Sequence, residues 1–157
     1  MPRVSSSIEP LSKARAYCAR QERCQQELRD KLYAWEVAGP QVEGIISQLI
    51  GEGFLNEARF AEHFAVSKFR QKGWGRRKIE AALKDRQVSA PCIALGLKRI
   101  EDDEYKAALV KLVAKRWERV KEADVRLKRQ MVLRYFLAKG YSAALVEESM
   151  MALKAGS

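Results

Sequence analysis

Residues 51–87 read GEGFLNEARFAEHFAVSKFRQKGWGRRKIEAALKDRQ. Phe54, Phe60, Phe64 and Phe69 recur at helical spacing, which predicts a helix with an aromatic core face. Gly73 and Gly75 break that helix, and a second helical period starts beyond them. The break carries the densest basic run of the chain, KFRQKGWGRRK (68–78). Lys68, Arg70, Lys72, Arg76, Arg77 and Lys78 stand there with no acidic residue. A face shaped only for solubility mixes the two signs of charge. Here one sign dominates, so a polyanionic partner is the first expectation. A plainer reading stands beside it: a solvated helix end with two core aromatics, Phe69 and Trp74. Trp74 itself either stacks on a base or partner surface or anchors the helix junction.

The charge of the whole chain agrees with that stretch. The formal net charge is +10 over 157 residues, with a pI of about 9.7, which favours nucleic acid or another acidic surface. Residues 57–100 carry eleven basic side chains against four acidic ones, whereas residues 1–56 balance at seven each. Residues 101–157 carry twelve against nine, so the positive field is centred on the middle of the chain. A hydrophobic content of 47% supplies a core for one domain or a short array of repeats.

Outward from the central stretch, its apolar register recurs. Ile79, Leu83, Val88, Ile93, Leu97 and Ile100 match Leu28, Leu32, Val37, Val42, Ile46 and Leu49 on one side. On the other side they match Val132, Phe136, Tyr141, Val146, Met150 and Leu153. Pro40, Pro91 and Ala144 hold a matching place after each helix break. Self-similarity of this kind marks stacked repeats, and no segment alternates with a period of two for long. The expected fold is all-α: three tandem three-helix repeats forming an elongated, curved rod. The expected divisions are a flexible arm over 1–10, then repeats over 11–54, 55–101 and 102–157.

The expected helices are 11–21, 24–36 and 40–52, then 57–71, 75–86 and 90–101, then 103–121, 123–139 and 142–155. Asn56 is expected to cap the helix opening at Glu57. Pro40 fits a first turn, and Gly140 a left-handed stop. The acidic run Glu101-Asp102-Asp103-Glu104 is read as compensation of a helix dipole and a solvated linker, in preference to a Mg²⁺ or Ca²⁺ site.

Chemistry-bearing motifs are missing. Cys18, Cys24 and Cys92 match no zinc spacing, and His63 is the single histidine. GxSxG, HExxH, GxGxxG and the phosphate loop are absent, so no catalytic residue, metal or cofactor is expected. The odd cysteine count without a signal peptide predicts free thiols in a reducing compartment, with Cys18 facing the core. No run of about 18 apolar residues occurs, so a soluble cytoplasmic protein with no membrane contact is expected. Trp35 and Trp117 read as helix-packing residues. In the second basic run, RLKRQMVLR (126–134), Arg126 and Arg129, with Lys128 beside them, either extend the positive face or pair with Glu122 and Asp124.

The chain resembles the RecX family, bacterial regulators of the RecA recombinase. The likeness is carried by ARQERCQQELRDKL (19–32) and EGFLNEARFAEHFAVSKFRQKGWGRRKIEAAL (52–83), and more weakly by RQMVLRYFLAKGYS (129–142). Cys24 stands where the family often has a Ser or Thr helix cap. The resemblance implies a non-enzymatic protein of homologous recombination, DNA repair and the SOS response. Its members lie in the groove of the RecA–DNA filament, lower ATPase and strand exchange, and impede filament extension. It implies a monomer that meets the filament and, weakly and non-specifically, single- and double-stranded DNA. The residues placed at that contact are Lys68, Arg70, Lys72, Trp74, Arg76, Arg77, Lys78, Arg126 and Arg129. A free-standing basic helical module, acting on nucleic acid without a recombinase, is the alternative.

Overall fold

The computed structural model describes residues 8–155, and in these the chain forms α-helices and no strand. The helices are α1 (Ile8–Arg20), α2 (Gln25–Ala34), α3 (Gly39–Gly51), α4 (Glu57–Lys72), α5 (Arg76–Asp85), α6 (Ala90–Lys98), α7 (Asp102–Arg119), α8 (Val125–Ala138) and α9 (Ala143–Ala155). The expected arm over 1–10 falls mostly outside the described residues. Its last three residues belong to α1, because Pro10 sits in a first turn whose N–H groups lack helical partners anyway.

The repeated apolar positions form the core. All eighteen but Leu97 and Leu153 are buried, and those two are half-buried. Phe60, Phe64 and Phe69 are buried as expected. Each fully buried leucine, such as Leu28, Leu32 or Leu83, contributes about 1.5–3 kcal/mol of transfer free energy.

One backbone device closes the second helix of every repeat. Val37 N–H donates to Leu32 C=O at 3.0 Å, Val88 N–H to Leu83 C=O at 3.1 Å, and Tyr141 N–H to Phe136 C=O at 3.0 Å. The residue before each donor is left-handed: Glu36 at φ 61°, Gln87 at 58° and Gly140 at 102°. This is the Schellman stop, with apolar partners at its two ends. It ends α2 at Ala34 and α5 at Asp85, short of the expected 36 and 86. Pro40, Pro91 and Ala144 each occupy the second position of the helix that follows.

By contacts the chain divides into two compact units, one of residues up to His63 with Leu83–Gly96, the other of Phe64–Ala82 with Leu97 onward. In the first, α1, α2 and α3 pack around Ala14, Cys18, Leu28, Leu32, Val42, Ile46 and Leu49, with Trp35 and Phe54 against the cluster. Trp35 meets Tyr17 edge-on at 6.2 Å, the packing role expected of it. Cys24 caps α2 in place of a hydroxyl. Its Sγ accepts from Glu27 N–H at 3.4 Å, while Glu27 Oε1 accepts from Cys24 N–H at 3.0 Å. Asn56 Oδ1 accepts from Arg59 N–H at 2.9 Å, as expected of the cap of α4.

In the second unit α7 packs on α8 and α9. An aromatic chain runs through it. Phe69 lies 5.6 Å from Tyr105, Tyr105 stacks on Tyr141 at 5.2 Å, and Tyr141 meets Phe136 edge-on at 6.0 Å. Burial pushes both phenols above their ordinary range.

Candidate nucleic-acid interface

The basic run is shaped by how its glycines dock. The loop between α4 and α5 lies against the end of α8. Gly75 N–H donates to Lys139 C=O at 2.7 Å, Arg77 N–H to Gly140 C=O at 3.1 Å, and Tyr141 Oη to Gly73 C=O at 3.0 Å. The glycines therefore break the helix in order to seat one backbone on another.

Its six cations then separate by partner. Arg76 works inside the fold. Its Nη2 donates to Ile100 C=O at 2.9 Å and to Asp102 Oδ1 at 2.8 Å, and its guanidinium lies 4.2 Å from the Tyr105 ring centre. Its backbone N–H donates to Tyr105 Oη at 2.9 Å. Arg70 forks onto Glu104, at 3.0 and 3.3 Å, a pair that stays exposed to water. Those hydrogen bonds push the Arg70 guanidinium above its ordinary range. The acids at the start of α7 thus have a second role besides the expected dipole compensation in its first turn.

Lys68 and Lys78 lie 5.1 and 4.5 Å from the centre of the Trp74 ring, which forms a T-shaped pair with Phe64 at 6.4 Å. Trp74 is half-buried, so it anchors the junction while holding two cations beside it. Arg77 is exposed and has no ion-pair partner among the described residues. Arg126 and Arg129 likewise have no carboxylate partner among the described residues, and Asp124 instead caps α8 by accepting from Arg126 N–H at 2.9 Å. His63 is exposed on α4.

Lys72 belongs to a different grouping. It joins Lys115, Arg116, Arg119 and Lys139 around a cleft of about 240 Å³ floored by Gly73, Leu112, Tyr135 and Phe136. The Arg116 guanidinium lies 3.8 Å from the Tyr135 ring centre, and Lys139 Nζ lies 5.6 Å from it. Sequence reading placed none of these four added cations at the interface. The available signal was the spacing of Lys115 and Arg119, one turn apart on α7 beside Arg116. Among the described residues no cluster of histidine, cysteine or carboxylate groups is arranged to hold a metal ion, and no helix is long and apolar enough to cross a membrane.

Comparison with known proteins gives a consistent result. A family model described as "RecX, first three-helix domain" matches residues 11–49, and "RecX, second three-helix domain" matches 56–97. A protein named Regulatory protein RecX from Ralstonia nicotianae is 33% identical over 144 residues, covering 88% of this chain and 86% of that one. Its namesake from Streptomyces lividans is 28% identical over 142 residues, covering 87% of this chain and 75% of that one. The crystal structure of RecX from Lactobacillus salivarius shares the fold with a TM-score of 0.85 at 20% identity, over 97% of this chain and 99% of that one.

Proposed function

The chain belongs to the RecX family, and from that premise we propose that it lies in the groove of a RecA–DNA filament in the cytoplasm. There it lowers ATP hydrolysis and strand exchange and impedes filament extension, as a monomer without enzymatic activity of its own. The observation that supports this reading is the central positive field, +7 over residues 57–100. In it Lys68, Lys72, Arg77 and Lys78 keep their charges unmatched by carboxylates among the described residues.

These side chains, with Trp74, Arg126 and Arg129, face DNA phosphate and acidic protein surface in the proposed complex. Arg70 and Arg76 belong to the same run, but a polyanion must compete with Glu104 and Asp102 for them. Phosphate contacts of this kind are non-specific and weaken with salt. Tighter binding to one filament state than to another shifts the filament toward that state.

The test is ATP hydrolysis by recombinase on single-stranded DNA, with and without the purified chain. Inhibition at stoichiometric amounts is expected; its absence removes the regulator reading. Tight, sequence-selective DNA binding without recombinase would favour a free-standing DNA-binding module instead.

A further inference from the structure

The cleft of about 240 Å³ beside the end of α4 gathers Lys72, Lys115, Arg116, Arg119 and Lys139, and none of its lining residues is acidic. We propose that it is a seat for one phosphodiester group of a nucleic-acid strand, with Arg116 as its central donor. The proposal rests on the reading of the partner as a nucleoprotein filament.

Arg116 is prepared for such a ligand. Stacking at 3.8 Å on Tyr135 orients its guanidinium plane while leaving it free to slide along the ring toward the cleft, so little orientational freedom is lost when a planar fork meets an oxyanion. Its Nε is buried and has no hydrogen-bond partner among the described residues. Buried donors in native proteins nearly always have an acceptor. An oxyanion that meets the guanidinium edge-on and draws it slightly into the cleft supplies that acceptor. The apolar floor of Leu112 and Phe136 lowers the local dielectric and strengthens the attraction.

A link of a polyanion fits better than a lone anion, and the filament reading makes that polyanion a nucleic-acid strand. Four further cations surround Arg116, and a single phosphodiester, like a single carboxylate, neutralises one charge. A nucleic-acid strand brings a charge with every nucleotide, so a phosphate seated on Arg116 carries its neighbours toward the exposed Lys115 and Arg119.

The experiment is titration of the full chain with a short single-stranded oligodeoxynucleotide at several salt concentrations, without recombinase. Poly-glutamate serves as the competing polyanion. Salt-dependent binding is expected, with about tenfold weaker affinity for Arg116→Gln and a salt slope smaller by about 0.7 for each phosphate contact removed. Arg116→Lys keeps the charge and loses the fork, so it should keep the slope and lose affinity. Because Arg116 also packs on Tyr135, the double variant Lys115→Gln/Arg119→Gln, made at exposed positions, provides a second route to the same answer.

Wild-type affinity and slope in both Arg116→Gln and the double variant would overturn the proposal. So would failure of the wild type to bind the oligonucleotide, or tighter binding of poly-glutamate through these same residues. The recombinase assay separates the two levels. Inhibition that persists while oligonucleotide binding fails removes this seat and leaves the regulatory reading standing.

Discussion

Gly75 and Gly140 meet backbone to backbone: a Cβ on Gly75 would lie 2.4 Å from the carbonyl carbon and oxygen of Gly140. This contact sets where the basic loop sits, because α5 and its arginines begin one residue later.

Gly75→Ala should therefore be destabilising by about 2–3 kcal/mol or more, since the obstructing atoms are main chain and no side chain can swing aside. Gly140→Ala adds strain at φ 102° and a contact of 2.5 Å with Lys78 N. Urea unfolding followed by circular dichroism measures both. A midpoint near wild type for Gly75→Ala would contradict the docking described.

The matching stops after α2 and α5 lack glycine. Glu36 and Gln87 hold φ of 61° and 58° with side chains attached. Glu36→Gly and Gln87→Gly should each raise stability by about 0.5–1 kcal/mol, the relieved left-handed penalty less the extra entropy glycine gives the unfolded chain. A lowered thermal midpoint in both would mean that these side chains make contacts worth more than the strain.

Arg76 and its neighbour Arg77 are predicted to behave differently despite identical chemistry. Arg76→Ala removes donors to Ile100 C=O and Asp102, and should cost about 1–2 kcal/mol of stability. Arg77→Ala removes an exposed side chain and should change stability by less than about 0.5 kcal/mol, while weakening filament binding. Denaturant midpoints and salt-dependent filament binding, measured on both variants, separate the two roles. Equal effects on stability would refute the division.

Acid should expose one ion pair in particular. Arg15 Nε and Nη2 donate to Glu52 at 2.8 and 2.7 Å, and Gln48 Nε2 donates to it at 3.0 Å. The Arg15 bonds first, then that of Gln48, hold the Glu52 carboxyl down to about 2 from an ordinary value of 4.5. A carboxyl depressed in the folded state stabilises above its unfolded pKa, and that contribution is lost as pH falls through the folded one. Stability measured from pH 4.5 down to 2 should fall less steeply for Glu52→Gln than for wild type. Parallel curves would mean the pair contributes nothing there.

Much of the fold was legible along the chain because helices are specified locally. The apolar period located all nine helices found among the described residues, Asn56 and Gly140 acted as cap and stop, and Pro40 fell in a first turn. The register of eighteen apolar positions predicted the repeat, since a side chain's burial follows from its place on the helix face. Glu36 and Gln87 escaped notice because neither residue type announces a left-handed backbone; their alignment with Gly140 was the overlooked signal.

The amino-acid order by itself determined an all-helical chain, its threefold register and the concentration of positive charge in its middle. Those properties depend on neighbours within a turn or two, or on composition alone. Only the tertiary structure decided which cations stay available. It brought Glu104 to Arg70 and Asp102 to Arg76, and it gathered Lys72, Arg116 and Lys139 around one cleft. Coulomb attraction and hydrogen bonding act through space, so their partners are chosen by how helices pack and not by distance along the chain.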